Sequence, residues 1–157
     1  MSRLVIRDAG LADLPAIVAL LADDDKGRTR ETTGDALDAG YGMAFAAIDA
    51  DPNQRLLVAE LDGAIVGTFQ LSFLPGLSYR GAWRGQIEAV RIAGNLRGEG
   101  LGREMILWAI DRCHERGCRI VQLTTHKSRE RAHIFYERLG FEPSHVGMKL
   151  HLGAPGV

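Results

Sequence analysis

Residues 55–74 read RLLVAELDGAIVGTFQLSFL, two runs rich in branched and aromatic side chains separated by Asp62-Gly63. An Asp-Gly pair between such runs closes a β-hairpin, so the two runs must lie side by side and antiparallel. The centre of the fold is therefore β. A turn or excursion, LPGLSYRGAW (74–83), leads to a third strand, RGQIEAVRI (84–92). Upstream, RLVIRDAG alternates apolar and polar residues and reads as a first strand. Asp13 is expected to cap a short helix, LPAIVALLA, with Pro15 in its first turn, where a missing N–H costs little. A charged loop, DDDKGRTRETTG, precedes a second helix at DALDAGYGMAFAAIDAD, weakened by Gly40 and Gly42 and stopped before Pro52. Downstream, a helix over 101–117 ends at Gly117. Then come a strand (CRIVQLTT), a helix ended by Gly140 and a last strand at HVGMKLHL (145–152). The order β-α-α-β-β-β-α-β-α-β, with hairpins early and βαβ late, predicts an α/β fold. Its mixed, mostly antiparallel sheet is flanked by helices on both faces, in one domain over 1–157.

The 157 residues suffice for one sizeable core, and 46% hydrophobic with 25% charged residues is too apolar for disorder. No apolar run approaches the roughly 20 residues that cross a bilayer, and the N-terminus lacks the apolar stretch of a secretory signal. Cys113 and Cys118 are too close in sequence to frame a disulfide scaffold, which fits a reducing cytoplasm. A net charge of −1 gives no global field for nucleic acid. The charge is uneven: residues 1–62 carry −6 and residues 63–157 carry +5, so the second part suits a polyanion better. No second pair of ligands stands at metal-binding spacing from Cys113 and His114, and no metal is expected.

Between the 84–92 strand and the helix after it lies GNLRGEGLGREM (94–105). No Gly-Lys pair exists, which excludes a P-loop, and the third glycine of a dinucleotide fingerprint falls on Arg103 or Met105. What remains is Arg97-Gly98-Glu99-Gly100-Leu101-Gly102, an R-x-x-G-x-G turn running into a helix. Consecutive backbone N–H groups at a helix N-terminus form an anion cradle, and glycines let phosphate approach without a Cβ in the way. Arg97 and Arg103 can add charge-assisted bonds. An ordinary glycine-rich turn and a nucleotide-phosphate cradle are the competing readings.

The stretch IEAVRIAGNLRGEGLGREMILWAI, followed by RAHIFYERLGF, resembles the GNAT superfamily of N-acetyltransferases in both motifs, in their spacing and in element order. The resemblance implies acetyl-CoA as co-substrate, transfer of acetyl to a primary amine of a small molecule or peptide, and a homodimer. It implies a bulge in the 84–92 strand. Backbone groups of Val90, Arg91 and Ile92 would then hold the pantetheine arm, and Arg97 through Arg103 the pyrophosphate. Glu88 is read as general base, directly or through water, or else as a charge at the sheet surface. Strict alternation puts Glu88, Val90 and Ile92 on one face and Arg91 on the other. Tyr136, beside a core stripe of Ala132, Phe135 and Leu139, is read as the acid that protonates the leaving thiolate; alone it would be a core aromatic with a wet tip. Tyr136 also stands among the cofactor contacts. Arg129 occupies the position where relatives carry an asparagine, and it binds a phosphate or sits in solvent.

Two segments are expected to shape the acceptor pocket. Asp23, Asp24 and Asp25 would attract a cation or form a solvated turn, whereas Tyr79 and Trp83 stand beside Arg80 and Arg84, which suit an acid. His126, His133 and His145 are proton relays or surface residues. The alternative to catalysis is an acyl-CoA-binding sensor or partner module.

Overall fold

A computed structural model describes residues 4–33 and 37–153. Its backbone divides into two compact units, residues 1–123 and 124–157. Arg3 of the expected first strand, and Asp35 and Ala36 of the expected second helix, lie outside the described residues.

The first unit is built on one five-stranded sheet in the order β1-β2-β3-β4-β5. These are β1 (Leu4–Asp8), β2 (Gln54–Leu61), β3 (Ala64–Leu74), β4 (Arg84–Ile92) and β5 (Ile120–Leu123). The first four pair antiparallel and β5 lies parallel to β4. The hairpin turn is as expected: Asp62 (φ 51°) and Gly63 (φ 82°) are both left-handed, the geometry that matches strand twist.

Helix α5 (Leu101–Glu115) covers one face. Leu57, Phe69, Leu71, Phe73 and Ile87 of the sheet are fully buried, as are Met105, Ile106, Ala109 and Cys113 of α5. Trp108 stands edge-on to Phe69 at 6.0 Å between centroids, with the Arg55 and Arg112 guanidinia over its own ring at 5.1 and 4.9 Å. Two glycines permit the close approach. A Cβ on Gly67 would lie 2.9 Å from Met105 Sδ, and one on Gly85 would overlap Cys113 Sγ. Gly117 (φ 77°) ends α5, with the Cys118 N–H donating to the Cys113 carbonyl at 2.9 Å.

The other helices of this unit are α1 (Leu14–Ala22), the single turn α2 (Gly27–Arg30), α3 (Ala39–Ala50) and a one-turn element, α4 (Ser78–Gly81). α1 buries Leu14, Ile17, Val18 and Leu20. Asp13 does not cap it. Its carboxylate instead accepts from the Gly10 N–H at 2.7 Å and from both terminal nitrogens of Arg7, which also donates to Glu60. The charged loop expected after α1 contains α2, whose Gly27 packs so tightly that a Cβ would overlap the Leu21 carbonyl. In α4, Tyr79 and Arg80 are left-handed (φ 53° and 60°), a conformation costly for side chains with a Cβ.

In the second unit α6 (Glu130–Arg138) ends at Gly140 (φ 98°), as expected. The strand expected at 145–152 is not formed: residues 141–153 carry no regular secondary structure, and Val146, Met148, Leu150 and Leu152 are exposed. Alternation supplies two faces, but a strand exists only where a neighbouring backbone accepts its hydrogen bonds, and none does so among the described residues.

Three outcomes follow from this packing. Gly85→Ala should destabilise by about 1–3 kcal/mol, the usual cost of overpacking, and adding Cys113→Ala should recover much of the loss in urea melts. Burial pushes the Cys113 thiol up to about 12 and raises Cys118 as well. An aromatic disulfide reagent at pH 8 should therefore label Cys113 only after denaturant is added. The Arg7 hydrogen bonds hold the Asp13 carboxyl below its usual range. Its stabilising contribution is present above the unfolded value of about 3.9 and is lost as pH falls through the lower folded value. Asp13→Asn should accordingly flatten the acid limb of a stability profile.

Candidate active site

The expected bulge is present in β4. Thr68 pairs with Arg91 and Gln70 with Glu88, so Phe69 alone faces two residues, Ala89 and Val90, and Ala89 turns left-handed (φ 53°). The extra residue resets the alternation. Arg91 lies opposite Thr68 and Glu88 opposite Gln70, and Thr68 and Gln70 share a face, so Arg91 stands on the face of Glu88 and not on the other one. Parallel pairing with β5 runs from Arg84 to Ile87 and stops there. From Glu88 to Ile92 the β5-side edge of β4 has no strand partner among the described residues.

Beyond β4, a 3-10 turn (Gly94–Leu96) leads into the glycine loop, where Gly98 and Gly100 are left-handed (φ 88° and 84°) and Gly100 is the N-cap of α5. Only glycine takes these conformations without strain. The N–H groups of Leu101, Gly102 and Arg103 open the helix and find no acceptor among the described residues. Leu101 has a buried side chain and offers only its backbone, whereas Glu99 and Arg103 are exposed. The cradle thus consists of backbone donors at the positive end of a 15-residue helix.

The acidic turn after α1 serves this region from within the protein. Asp24 pairs with Arg91 (Oδ2 to Nε, 3.3 Å) where both side chains are mostly buried. Arg97 donates to the Asp23 carbonyl at 3.1 Å and lies 4.0 Å from its carboxylate. Arg91 and Arg97 are therefore engaged by protein acids, and Asp23 and Asp24 are tied to the β4 region rather than forming a free cation trap. Asp25 is exposed, 3.8 Å from Arg28.

Glu88 is exposed, and its Oε1 accepts from Gln86 Nε2 at 2.8 Å. Gln86 Oε1 in turn accepts from Gln122 Nε2 at 2.8 Å. Tyr79 and Trp83 lie before β4, at the end of the strand away from the bulge, and Arg119 Nη1 donates to the Tyr79 carbonyl.

Tyr136 and Arg129 belong to the second unit. Tyr136 is half-buried on α6 and packs edge-on against Phe135 and Phe141, with centroids at 5.0 and 5.8 Å. Arg129 is the N-cap residue of α6 without a side-chain capping bond. His126 Nδ1 lies 2.7 Å from Ser128 Oγ, and His133 Nε2 lies 3.1 Å from the His126 carbonyl. Among the described residues no group of three or more His, Cys, Asp or Glu side chains is placed to hold a metal, and no helix is long and apolar enough to cross a membrane.

The Asp24–Arg91 pair and the amide row at Gln86 and Gln122 escaped the sequence reading. The first has no local signal, because its partners are far apart in the chain. The second had one in β3, where Gln70 and Ser72 stand at even positions between the apolar Phe69, Leu71 and Phe73.

The pattern of the acetyltransferase (GNAT) family matches residues 17–141. A crystal structure described as a transcriptional regulator from Bacillus halodurans is 46% identical, with a TM-score of 0.93 over 96% of this chain and 100% of that one. Aminoalkylphosphonate N-acetyltransferase of Salmonella typhimurium is 32% identical over 64% of this chain, which spans 65% of that protein's length. L-methionine sulfoximine/L-methionine sulfone acetyltransferase of Pseudomonas paraeruginosa is 29% identical over 88% of this chain and 80% of its own. A bulged β4 with an unpaired edge, a glycine-opened helix behind it and a family pattern running through both lead to one assignment: this chain belongs to the acetyltransferase (GNAT) family.

Proposed function

We propose that the protein transfers an acetyl group from acetyl-CoA to the primary amine of a small molecule. The observation that carries this reading is the unpaired edge of β4 from Glu88 to Ile92, which ends at the N–H cradle of α5. A pantetheine arm carries two amides and can pair with such an edge as an added strand would. The helix N-terminus behind it suits a pyrophosphate, with Arg103 and Arg97 as cationic neighbours. Arg97 would exchange Asp23 for phosphate. Both acetyltransferase relatives are named for amine-bearing small molecules, which favours that acceptor class over a peptide.

In this reading Glu88, directly or through a water, takes the proton that the ammonium must lose before its nitrogen can attack. An alkylamine with a pKa near 10 is mostly protonated at pH 7, which costs roughly 4 kcal/mol without a base. The amine lone pair forms the new N–C bond at the thioester carbonyl, and a backbone N–H near Val90 stabilises the oxyanion. As the C–S bond breaks, the Tyr136 hydroxyl, protonated at pH 7, donates its proton to the departing thiolate, and the phenolate is reprotonated by the proton that the acylated nitrogen sheds on becoming an amide. The family resemblance also supports a cytoplasmic homodimer.

A second reading, an acyl-CoA-binding module without turnover, is favoured by the description of the 46% identical structure as a transcriptional regulator. Calorimetry with acetyl-CoA, with ATP and NAD as controls, tests the shared step. Acetyl-CoA alone should give an isotherm, and Gly102→Glu should abolish it while keeping the fold, since an acid is welcome in a first helical turn. Tyr136→Phe and Glu88→Gln should each lower kcat by about 100-fold with the acetyl-CoA KM little changed. Full turnover in both variants would refute these roles, and tight binding with no turnover on any amine would favour the sensor.

A further inference from the structure

The two faces of the sheet differ away from Val58, Val66 and Thr68, which are buried on the face opposite α5. The face under α5 is closed with Leu57, Phe69, Leu71, Phe73 and Ile87. On the other face, Gln54 lies opposite Ser72, Ser72 opposite Gln86, and Gln86 opposite Gln122, one unbroken polar row across β2, β3, β4 and β5. Gln70 and Glu88, themselves paired, stand one step further along β3 and β4. With strands about 4.8 Å apart, the row is roughly 14 Å wide.

The side chains hold one another. Gln54 Oε1 accepts from Gln70 Nε2 at 3.0 Å and from Ser72 Oγ at 2.7 Å. Gln122 donates to Gln86, and Gln86 donates to Glu88. These bonds fix the amides, as packing alone would not, and they leave hydrogen-bonding capacity over. Among the described residues, Gln54 Nε2 has no acceptor, and Oε1 of Gln70 and Oε1 of Gln122 have no donor. Each primary amide also keeps a second N–H. These residues are half-buried, and none of their atoms is a sealed, unsatisfied group, so solvent reaches them. The row carries no cation, and its single charge is Glu88.

We propose that this row is the floor of the acceptor site and that it selects amines whose neighbouring carbons bear hydroxyl groups, amino alcohols and amino sugars, over plain alkylamines. The inference rests on the acetyl-transfer reading and on Glu88 as its base. Fixed amides that both donate and accept match hydroxyls, which do the same. The ammonium belongs at the Glu88 end, where the row has its one negative charge and β4 has its bulge. Gln86 is a positioning residue, because it reaches the acceptor through Glu88. Gln70 and Gln122 flank Glu88 on either side and act on the acceptor itself. A plain alkylamine would strip water from these amides and return no hydrogen bonds, which is the larger source of discrimination.

The test compares glucosamine with cyclohexylamine at saturating acetyl-CoA; the two ring amines differ in basicity as well as in hydroxyls, so the decision rests on the variants, which leave the basicity of both amines as it is. The wild type should prefer glucosamine in kcat/KM by about 100-fold or more. Gln122→Met and Gln70→Met are near-isosteric and apolar; each should cut that preference by about tenfold. The preference should fall from both sides, with a higher glucosamine KM and cyclohexylamine used as well or better because that amide is no longer there to desolvate, while the acetyl-CoA KM is unchanged, a split that a general loss of fold would not produce. Should neither amine turn over, binding of the two to the CoA-saturated protein by calorimetry takes the place of kinetics. Equal or better use of cyclohexylamine by the wild type, or a preference untouched in both variants, overturns the proposal. Acetyl-CoA binding measured alone separates the two failures: if it persists without a hydroxyl preference, only the acceptor floor is wrong. If it is absent, the acetyl-transfer reading is wrong as well.

Discussion

One extra residue in β4 governs the rest of the site. β3 and β4 are tied on both sides of it, by Gly67–Ile92 and Thr68–Arg91 above and by Gln70–Glu88 below. Ala89 must therefore absorb the surplus as a left-handed residue, at a cost of about 1–2 kcal/mol for a side chain with a Cβ. Beside this bulge, pairing with β5 stops at Ile87, which leaves the backbone from Glu88 onward without a strand partner on that edge among the described residues, and the kink brings Arg91 round to the face of Glu88. A regular strand would not have offered that pairing with Asp24.

What holds the bulge in place comes from the other side of the sheet and from far along the chain. On the α5 face, Gly67 lets Met105 approach, and Gly85 does the same for Cys113. On the opposite face, the acidic turn after α1 reaches over to Arg91 and Arg97. Mostly buried, the Asp24–Arg91 pair is costly to disturb, since charges withdrawn from water depend on the partners the protein supplies. The exposed Asp23–Arg97 contact is worth little in solvent, so Arg97 can change partners at little cost.

Much of this was legible in the sequence wherever a local rule applied. Asp62-Gly63 specified its hairpin, Gly117 and Gly140 ended their helices, and the strand at 84–92 was read with its observed ends. The glycine loop was readable because left-handed turns at Gly98 and Gly100 leave few other residues possible. Local rules failed where a side chain was claimed by a partner outside its own helix or turn. Asp13 looked like a cap but is held by Arg7, and the acidic turn looked like a solvated or cation-seeking loop but is bound to arginines some 70 residues away. The alternation of 145–152 looked like a strand, yet a strand is a property of two backbones and not of one.

The sequence by itself determined the hairpin, the helix ends, the glycine turns that open α5 and the family, because each depends on residue types within a turn or two of one another. Tertiary structure alone decided which arginines are already engaged and which face Arg91 occupies. It also decided whether the scattered glutamines form one surface. Those outcomes depend on strand register, and register is set by the sum of cross-strand contacts over the whole sheet. Shifted by one residue, Gln86 would no longer stand between Ser72 and Gln122, and the polar row would be broken.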